Sequence, residues 1–140
     1  MKQVLRQSFL LALIALLPAI GSSAFHLTQP GWDPSALQPG EILLSSVVAF
    51  NQPVLWVDAR SQGQYEKDHV PQAVLLNEDD WERQFSAVVQ RWQTGQPVVV
   101  YCDSQECQAS RSVAKRLRES GIAPVYVLKG GWQAWLDRKR

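Results

Sequence analysis

The sequence predicts an α/β fold with a mainly parallel, five-stranded sheet and helices on both faces, and three observations carry that prediction. Short apolar runs alternate with helical stretches along most of the chain, as in successive βαβ units. The run Val98-Val99-Val100-Tyr101 is β-branched and aromatic throughout, the composition of a strand buried on both faces. Cys102 ends that run, and a polar loop carries the chain from it into a helix ending at Gly121. The carboxyl edge of a parallel sheet is where such folds place their chemistry.

The elements follow in order. Lys2 and Arg6 precede an apolar run from Phe9 to Leu17, Pro18 breaks it, and Ser22-Ser23-Ala24 offers the small residues a signal peptidase inspects. Residues 1–24 are therefore expected to be a secretory signal cleaved after Ala24; the alternative is a retained membrane anchor, although the run is shorter than the roughly 18 residues a span needs. Either way the domain is expected outside the cytoplasm, exported to the periplasm or anchored in the membrane facing outward. Residues 25–40 hold Pro30, Gly31, Pro34, Pro39 and Gly40 with little periodicity and read as a lead-in, with Trp32 available to pin it down. The domain is expected over residues 41–140.

Within it, Glu41 to Leu43 predicts a short strand and Ser45 to Phe50 a short helix. Val54 to Val57 is a strand ending at Asp58, Ser61 to Lys67 a brief helix, and Ala73 to Leu76 a strand. Asp80 to Arg91 places Trp81, Phe85, Val88 and Val89 on the apolar side of an amphipathic helix. After Val98 to Tyr101, Ser112 to Ser120 sets Val113 and Leu117 four apart on one helical face. Val125 to Leu128 is the last strand and Gly131 to Asp137 the last helix.

Charge excludes some partners. The formal net charge is +1 and falls close to zero once Lys2 and Arg6 are removed, so no nucleic-acid partner is expected. The Arg138-Lys139-Arg140 tail reads as a solvated terminus. Two cysteines and two scattered histidines lack the paired spacing of a structural zinc site, and Gly130-Gly131 lacks the pattern of a phosphate-binding loop. No metal and no cofactor is expected.

Cys102 is the candidate nucleophile. Facing the amino end of a helix, it meets unpaired N–H groups and a positive dipole end, which favour a thiolate. Asp58 and Arg60 end a strand on the same sheet edge, so Arg60 is a candidate accessory residue, with an ion pair that shapes the loops as its plainer role. Arg111, with Lys115 and Arg118 on one helical stripe, is a second accessory candidate whose plainer role is a solvated face.

Three segments resemble a single rhodanese domain. Val57-Asp58-Ala59-Arg60, leading through Tyr65-Glu66-Lys67-Asp68-His69-Val70-Pro71-Gln72-Ala73, is similar to the family's first signature. The Tyr101-Cys102 loop is the second segment. Val125-Tyr126-Val127-Leu128-Lys129-Gly130-Gly131-Trp132-Gln133-Ala134-Trp135 is the third and the most specific. The resemblance implies a three-layer rhodanese-like fold and a sulfurtransferase. In that activity a cysteine thiolate takes a sulfane sulfur from a small donor, carries it as a persulfide, and passes it to a thiol or another nucleophile. It casts Asp103, Ser104, Gln105, Glu106, Cys107, Gln108, Ala109 and Ser110 as the substrate-binding loop, whose N–H groups from Asp103 to Ala109 would cradle the persulfide. His69 resembles the family's turn histidine, with hydrogen-bonded packing as its plainer role and acid–base work as the alternative.

Departures from the family pattern narrow this reading. Rhodanese loops commonly run Cys-x-x-Gly-x-Arg, and here Gln105 and Cys107 stand in place of the glycine and the arginine. Gln108 occupies the arginine position of the related Cys-x5-Arg phosphatases, so a phosphatase is not expected. Asp103 and Glu106 add negative charge that repels a dianionic donor such as thiosulfate. Cys107 opens a competing reading, a thiol–disulfide redox protein built on the Cys102/Cys107 pair, with a redox switch, a resolving thiol and a purely structural disulfide all left open. A non-catalytic rhodanese-like binding module is a further alternative. A membrane or redox partner protein is compatible with each.

Overall fold

The valine run sets the centre of the molecule. In a computed structural model, which describes residues 36–103 and 108–138, Val98–Tyr101 forms a strand in which every residue is buried. The signal or anchor, Trp32, Ser104, Gln105, Glu106, Cys107 and the last two residues lie outside the described residues. The strands are β1 (Glu41–Ile42), β2 (Leu55–Asp58), β3 (Val74–Leu75), β4 (Val98–Tyr101) and β5 (Val125–Leu128). They join in one sheet of order β1-β5-β4-β2-β3 with every neighbouring pair parallel. Between them run α1 (Leu44–Val48), α2 (Gln62–Lys67), α3 (Trp81–Arg91), α4 (Gln108–Glu119) and α5 (Gly131–Asp137).

The two-residue period of β4 sorts its side chains into two cores. Val98, Val100 and Cys102 point into one, with Trp81 and Val88 of α3 and Val113, Ala114 and Leu117 of α4. Val99 and Tyr101 point into the other, with Val47 of α1, Tyr65 of α2 and Trp132 and Trp135 of α5. The result is three layers, helices on both faces of a parallel sheet. Each fully buried valine of β4 contributes about 1.5–3 kcal/mol relative to exposure.

Helix α4 begins at Gln108, whereas the Val113/Leu117 spacing points to a start at Ser112. Its buried face is Ser110, Val113, Ala114 and Leu117, a regular helical stripe whose first member is a serine. A polar residue in that slot hides the first turn from a search for apolar periodicity. Gln108, Ala109 and Ser110 therefore belong to a helix and not to the loop.

Topology then places a crevice. The chain leaves β2 for the edge strand β3 and leaves β4 for β5 on the opposite side, so the winding reverses between β2 and β4, which pair from Leu55↔Val98 to Asp58↔Tyr101. Such a switch point, at the carboxyl ends of the strands, is the ligand-binding crevice of open α/β sheets. Among the described residues no helix is long and apolar enough to cross a membrane.

Candidate active site

Cys102 is the first residue beyond β4 and is 2% exposed. Its carbonyl oxygen accepts a hydrogen bond of 2.6 Å from the backbone N–H of Trp132, the second residue of α5. Its sulfur lies 3.5 Å from Oγ of Ser110, in the first turn of α4. A hydroxyl and a helix amino terminus thus both face the sulfur, the surroundings that stabilise a sulfur anion. Cys102 does not stand as a free thiol in this structure. Ser104, Gln105, Glu106 and Cys107, assigned from sequence to the persulfide cradle, lie outside the described residues.

Arg60 is fixed by β2. Its Nε donates to Asp58 Oδ1 at 3.0 Å and Oδ2 at 3.1 Å, and its Nη2 donates to Asp58 Oδ2 at 2.7 Å and to the Asp68 carbonyl at 2.7 Å. Tyr101, opposite Asp58 across the ladder, donates its hydroxyl to Asp58 Oδ2 at 2.7 Å and accepts the Val70 N–H at 3.1 Å. Asp58 is fully buried, and among the described residues no buried side-chain polar atom lacks a partner. Burial disfavours the Arg60 charge, but the hydrogen bonds and attraction of Asp58 outweigh it and hold the guanidinium pKa above its ordinary value. Burial, and then the hydrogen bond to Asp58, raises the Tyr101 hydroxyl pKa. The guanidinium carbon also lies 4.4 Å from the centroid of the Trp132 ring, a cation–π contact. The ion pair expected for Asp58 and Arg60 is present, and Arg60 also reaches the pocket.

Arg60, Gln64, Lys67, Asp68, Asp103, Trp132 and Leu136 line a cavity of about 330 Å³, with Asp103, the residue after Cys102, in its wall. Gln64 Nε2 donates to Asp103 Oδ2 in a short hydrogen bond, and Arg60 Nη1 lies 3.7 Å from Asp103 Oδ1. Gln64 is held in turn by the capping box of α2, where its Oε1 accepts from the Ser61 backbone N–H at 3.2 Å and Oγ at 3.0 Å. Sequence reasoning passed over Gln64 and Lys67 as site residues. The Ser61-x-x-Gln64 spacing announces the cap, and nothing local announces the bond to Asp103.

The remaining candidates are drawn elsewhere. Arg111 is paired with Glu41 at 3.0 Å, and Lys129 lies 3.5 Å from the other oxygen of the same carboxylate. Burial works against the Glu41 charge, but the Gln38 N–H, Arg111 and Lys129 prevail and hold its pKa below the usual carboxylate value. Lys115 pairs along its helix with Glu119, and Arg118 donates to the Val125 carbonyl. His69 stacks on Tyr65 with ring centroids 4.0 Å apart, its Nδ1 2.8 Å from the Tyr65 carbonyl, a packed and hydrogen-bonded turn residue. Among the described residues no cluster of His, Cys, Asp and Glu is grouped to hold a metal ion.

A family profile described as Rhodanese-like domain matches residues 48–138. The chain belongs to the rhodanese-like family. Its rhodanese-like domain is 32% identical over 82 residues to the thiosulfate sulfurtransferase GlpE of Coxiella burnetii, covering 59% of this chain and 71% of that protein. It is 35% identical over 96 residues to the adenylyltransferase and sulfurtransferase MOCS3 of Aedes aegypti, covering 64% of this chain and 22% of that much longer protein. Among solved structures, a rhodanese-related protein from Thermoplasma volcanium matches with a TM-score of 0.56 at 12% identity, over 70% of this chain and 91% of that one. The rhodanese-like fold is thus shared well beyond recognisable sequence similarity.

Proposed function

We propose that this rhodanese-like domain is a sulfurtransferase that carries a sulfane sulfur as a persulfide on Cys102. The observation that carries the reading is the setting of the Cys102 sulfur, at the carboxyl end of the central strand and 3.5 Å from Ser110 Oγ at the amino end of α4. In the reduced protein the Cys102 thiolate attacks the sulfane sulfur of a small donor, whose own sulfur bond breaks and whose remainder leaves with the electron pair. A thiol or another nucleophile then attacks the outer sulfur of the persulfide, and Cys102 departs as thiolate. The names of the GlpE and MOCS3 relatives support the same reaction class. Intact mass of the reduced protein after exposure to thiosulfate, and separately to a persulfide donor, tests it. A gain of about 32 Da, one sulfur on the nucleophile, that Cys102→Ser abolishes is the expected result; no adduct from either donor overturns the reading.

A second reading makes Cys102 and Cys107 a thiol–disulfide pair. It is supported by the absence of a free thiol at Cys102, Cys107 being the chain's other cysteine. Reduction by an external dithiol would pass two electrons and two protons into the pair and free Cys102 to accept sulfur. Persulfide formation that survives Cys107→Ser supports the transferase; loss of activity with either substitution favours disulfide chemistry.

We also propose that the protein is exported or anchored facing outward, on the strength of Lys2, Arg6 and the apolar run before Ala24. Sequencing the amino terminus of protein from a cell-envelope fraction checks this: Phe25 reports cleavage, Met1 in a membrane fraction an anchor, and Met1 in the cytosol refutes export.

A further inference from the structure

The cavity that opens one residue beyond Cys102 has a fixed negative charge at its rim. Asp103, the next residue, is 51% exposed at the side chain, yet its carboxylate is held from two sides. Gln64 donates to one oxygen from 39 residues away in sequence, and Arg60 stands 3.7 Å from the other. Gln64 has little freedom to release it, because the Ser61 cap occupies its other amide atom. Arg60 does not cancel the charge. Its guanidinium already serves the buried Asp58 through three hydrogen bonds, so two carboxylates share one cation. Lys67 and Asp68, in the same cavity, carry opposite charges and leave its net charge unchanged. The other wall is apolar, formed by Trp132 and by Leu136, which is 41% exposed.

We propose that Gln64 and Arg60 position the Asp103 carboxylate as a charge filter, so that Cys102, the residue before it, takes sulfur from organic persulfides in preference to inorganic dianions such as thiosulfate. This rests on the sulfurtransferase reading and names the donor class for it. The Cys102 thiolate attacks the outer sulfur of R–S–SH and the donor S–S bond breaks. The electron pair leaves on R–S⁻, which takes up the persulfide proton, giving Cys102–S–S⁻ and R–SH. Asp103 sets specificity through its charge alone, and Gln64 is a positioning residue. Repulsion of a dianion by one fixed, half-exposed carboxylate is worth about tenfold in association rate and is screened by salt.

The test is single-turnover persulfide formation on the reduced full-length protein, with thiosulfate and with cysteamine persulfide as donors, for wild type, Asp103→Asn, Asp103→Glu and Gln64→Leu, at low and high salt. The expected result has four parts. Wild type prefers the organic persulfide, and its thiosulfate rate rises with salt; Asp103→Asn raises the thiosulfate rate about tenfold at low salt and weakens the salt dependence. Gln64→Leu moves the donor ratio in the same direction, and Asp103→Glu retains discrimination. An unchanged donor ratio in Asp103→Asn, with Cys102 still taking sulfur, overturns the filter and leaves the transferase standing. Failure of both donors in every variant overturns the transferase and the filter with it.

Discussion

The backbone N–H of Trp132 donates to the carbonyl oxygen of Cys102 across 2.6 Å, tying the first turn of α5 to the residue that bears the sulfur. That bond exists because Gly130 turns the chain out of β5 in a left-handed conformation, φ +78°. A Cβ at Gly130 would lie 3.0 Å from Cβ of Ala134, so the position is constrained both by backbone conformation and by space. Gly130→Ala is expected to lose about 1–3 kcal/mol of stability through this strain. It should also slow sulfur loading more than a surface substitution of equal cost. Urea unfolding alongside intact-mass loading at a denaturant-free reference checks both parts.

The buried network at the end of β2 predicts a larger effect. Asp58 accepts from Arg60 and from Tyr101, and all three side chains lie within the domain. Asp58→Asn leaves the Arg60 charge without its main partner, which costs about 3–5 kcal/mol when a buried pair is broken from one side. The raised Tyr101 pKa adds a pH signature. A folded-state pKa above the unfolded one means the folded protein holds the proton more tightly, so this contribution is complete below the ordinary tyrosine pKa of about 10 and is lost as pH rises above it. Chemical unfolding between neutral and strongly alkaline pH should show that decline in wild type, and Tyr101→Phe should flatten it.

The sequence shows the skeleton of this fold better than its wiring. The runs Val98 to Tyr101 and Val125 to Leu128 match β4 and β5 residue for residue, because strands buried on both faces have little choice of composition. Cys102 is legible for the same reason, as the residue that follows such a strand. Ser110 is not legible as a helical residue, since it takes an apolar slot in α4 in order to face Cys102. The Gln64–Asp103 bond joins residues 39 apart, and only the pairing of β2 with β4 brings their ends together.

Glu41 predicts the acid limb of stability. Its carboxylate joins Arg111 of α4 and Lys129 beyond β5, so it clamps the edge strand β1 to two other elements. A folded-state pKa held below the ordinary 4.5 means that this stability is present above that value and is lost as pH falls through the lower, folded-state pKa. Glu41→Gln is expected to lower stability at neutral pH and to make its decline on acidification shallower. Thermal unfolding of both proteins from neutral to strongly acidic pH decides it: parallel curves would assign the acid limb to other carboxylates.

Cys102 sits in the interior with Val113 and Ala114 of α4, so its chemistry depends on whether the sulfur is bonded or free. Under non-reducing conditions the native protein is expected to show no thiol reactive towards a disulfide reagent, and two after reduction, matching the two cysteines of the chain. Cys107→Ser should then expose one reactive thiol without a reductant, and that thiol should take sulfur at the rate of reduced wild type. The comparison separates gating from participation. Equal rates mean that Cys107 governs only the availability of the nucleophile, whereas a loaded Cys107→Ser protein that fails to discharge its persulfide to an acceptor thiol makes Cys107 the group that resolves it.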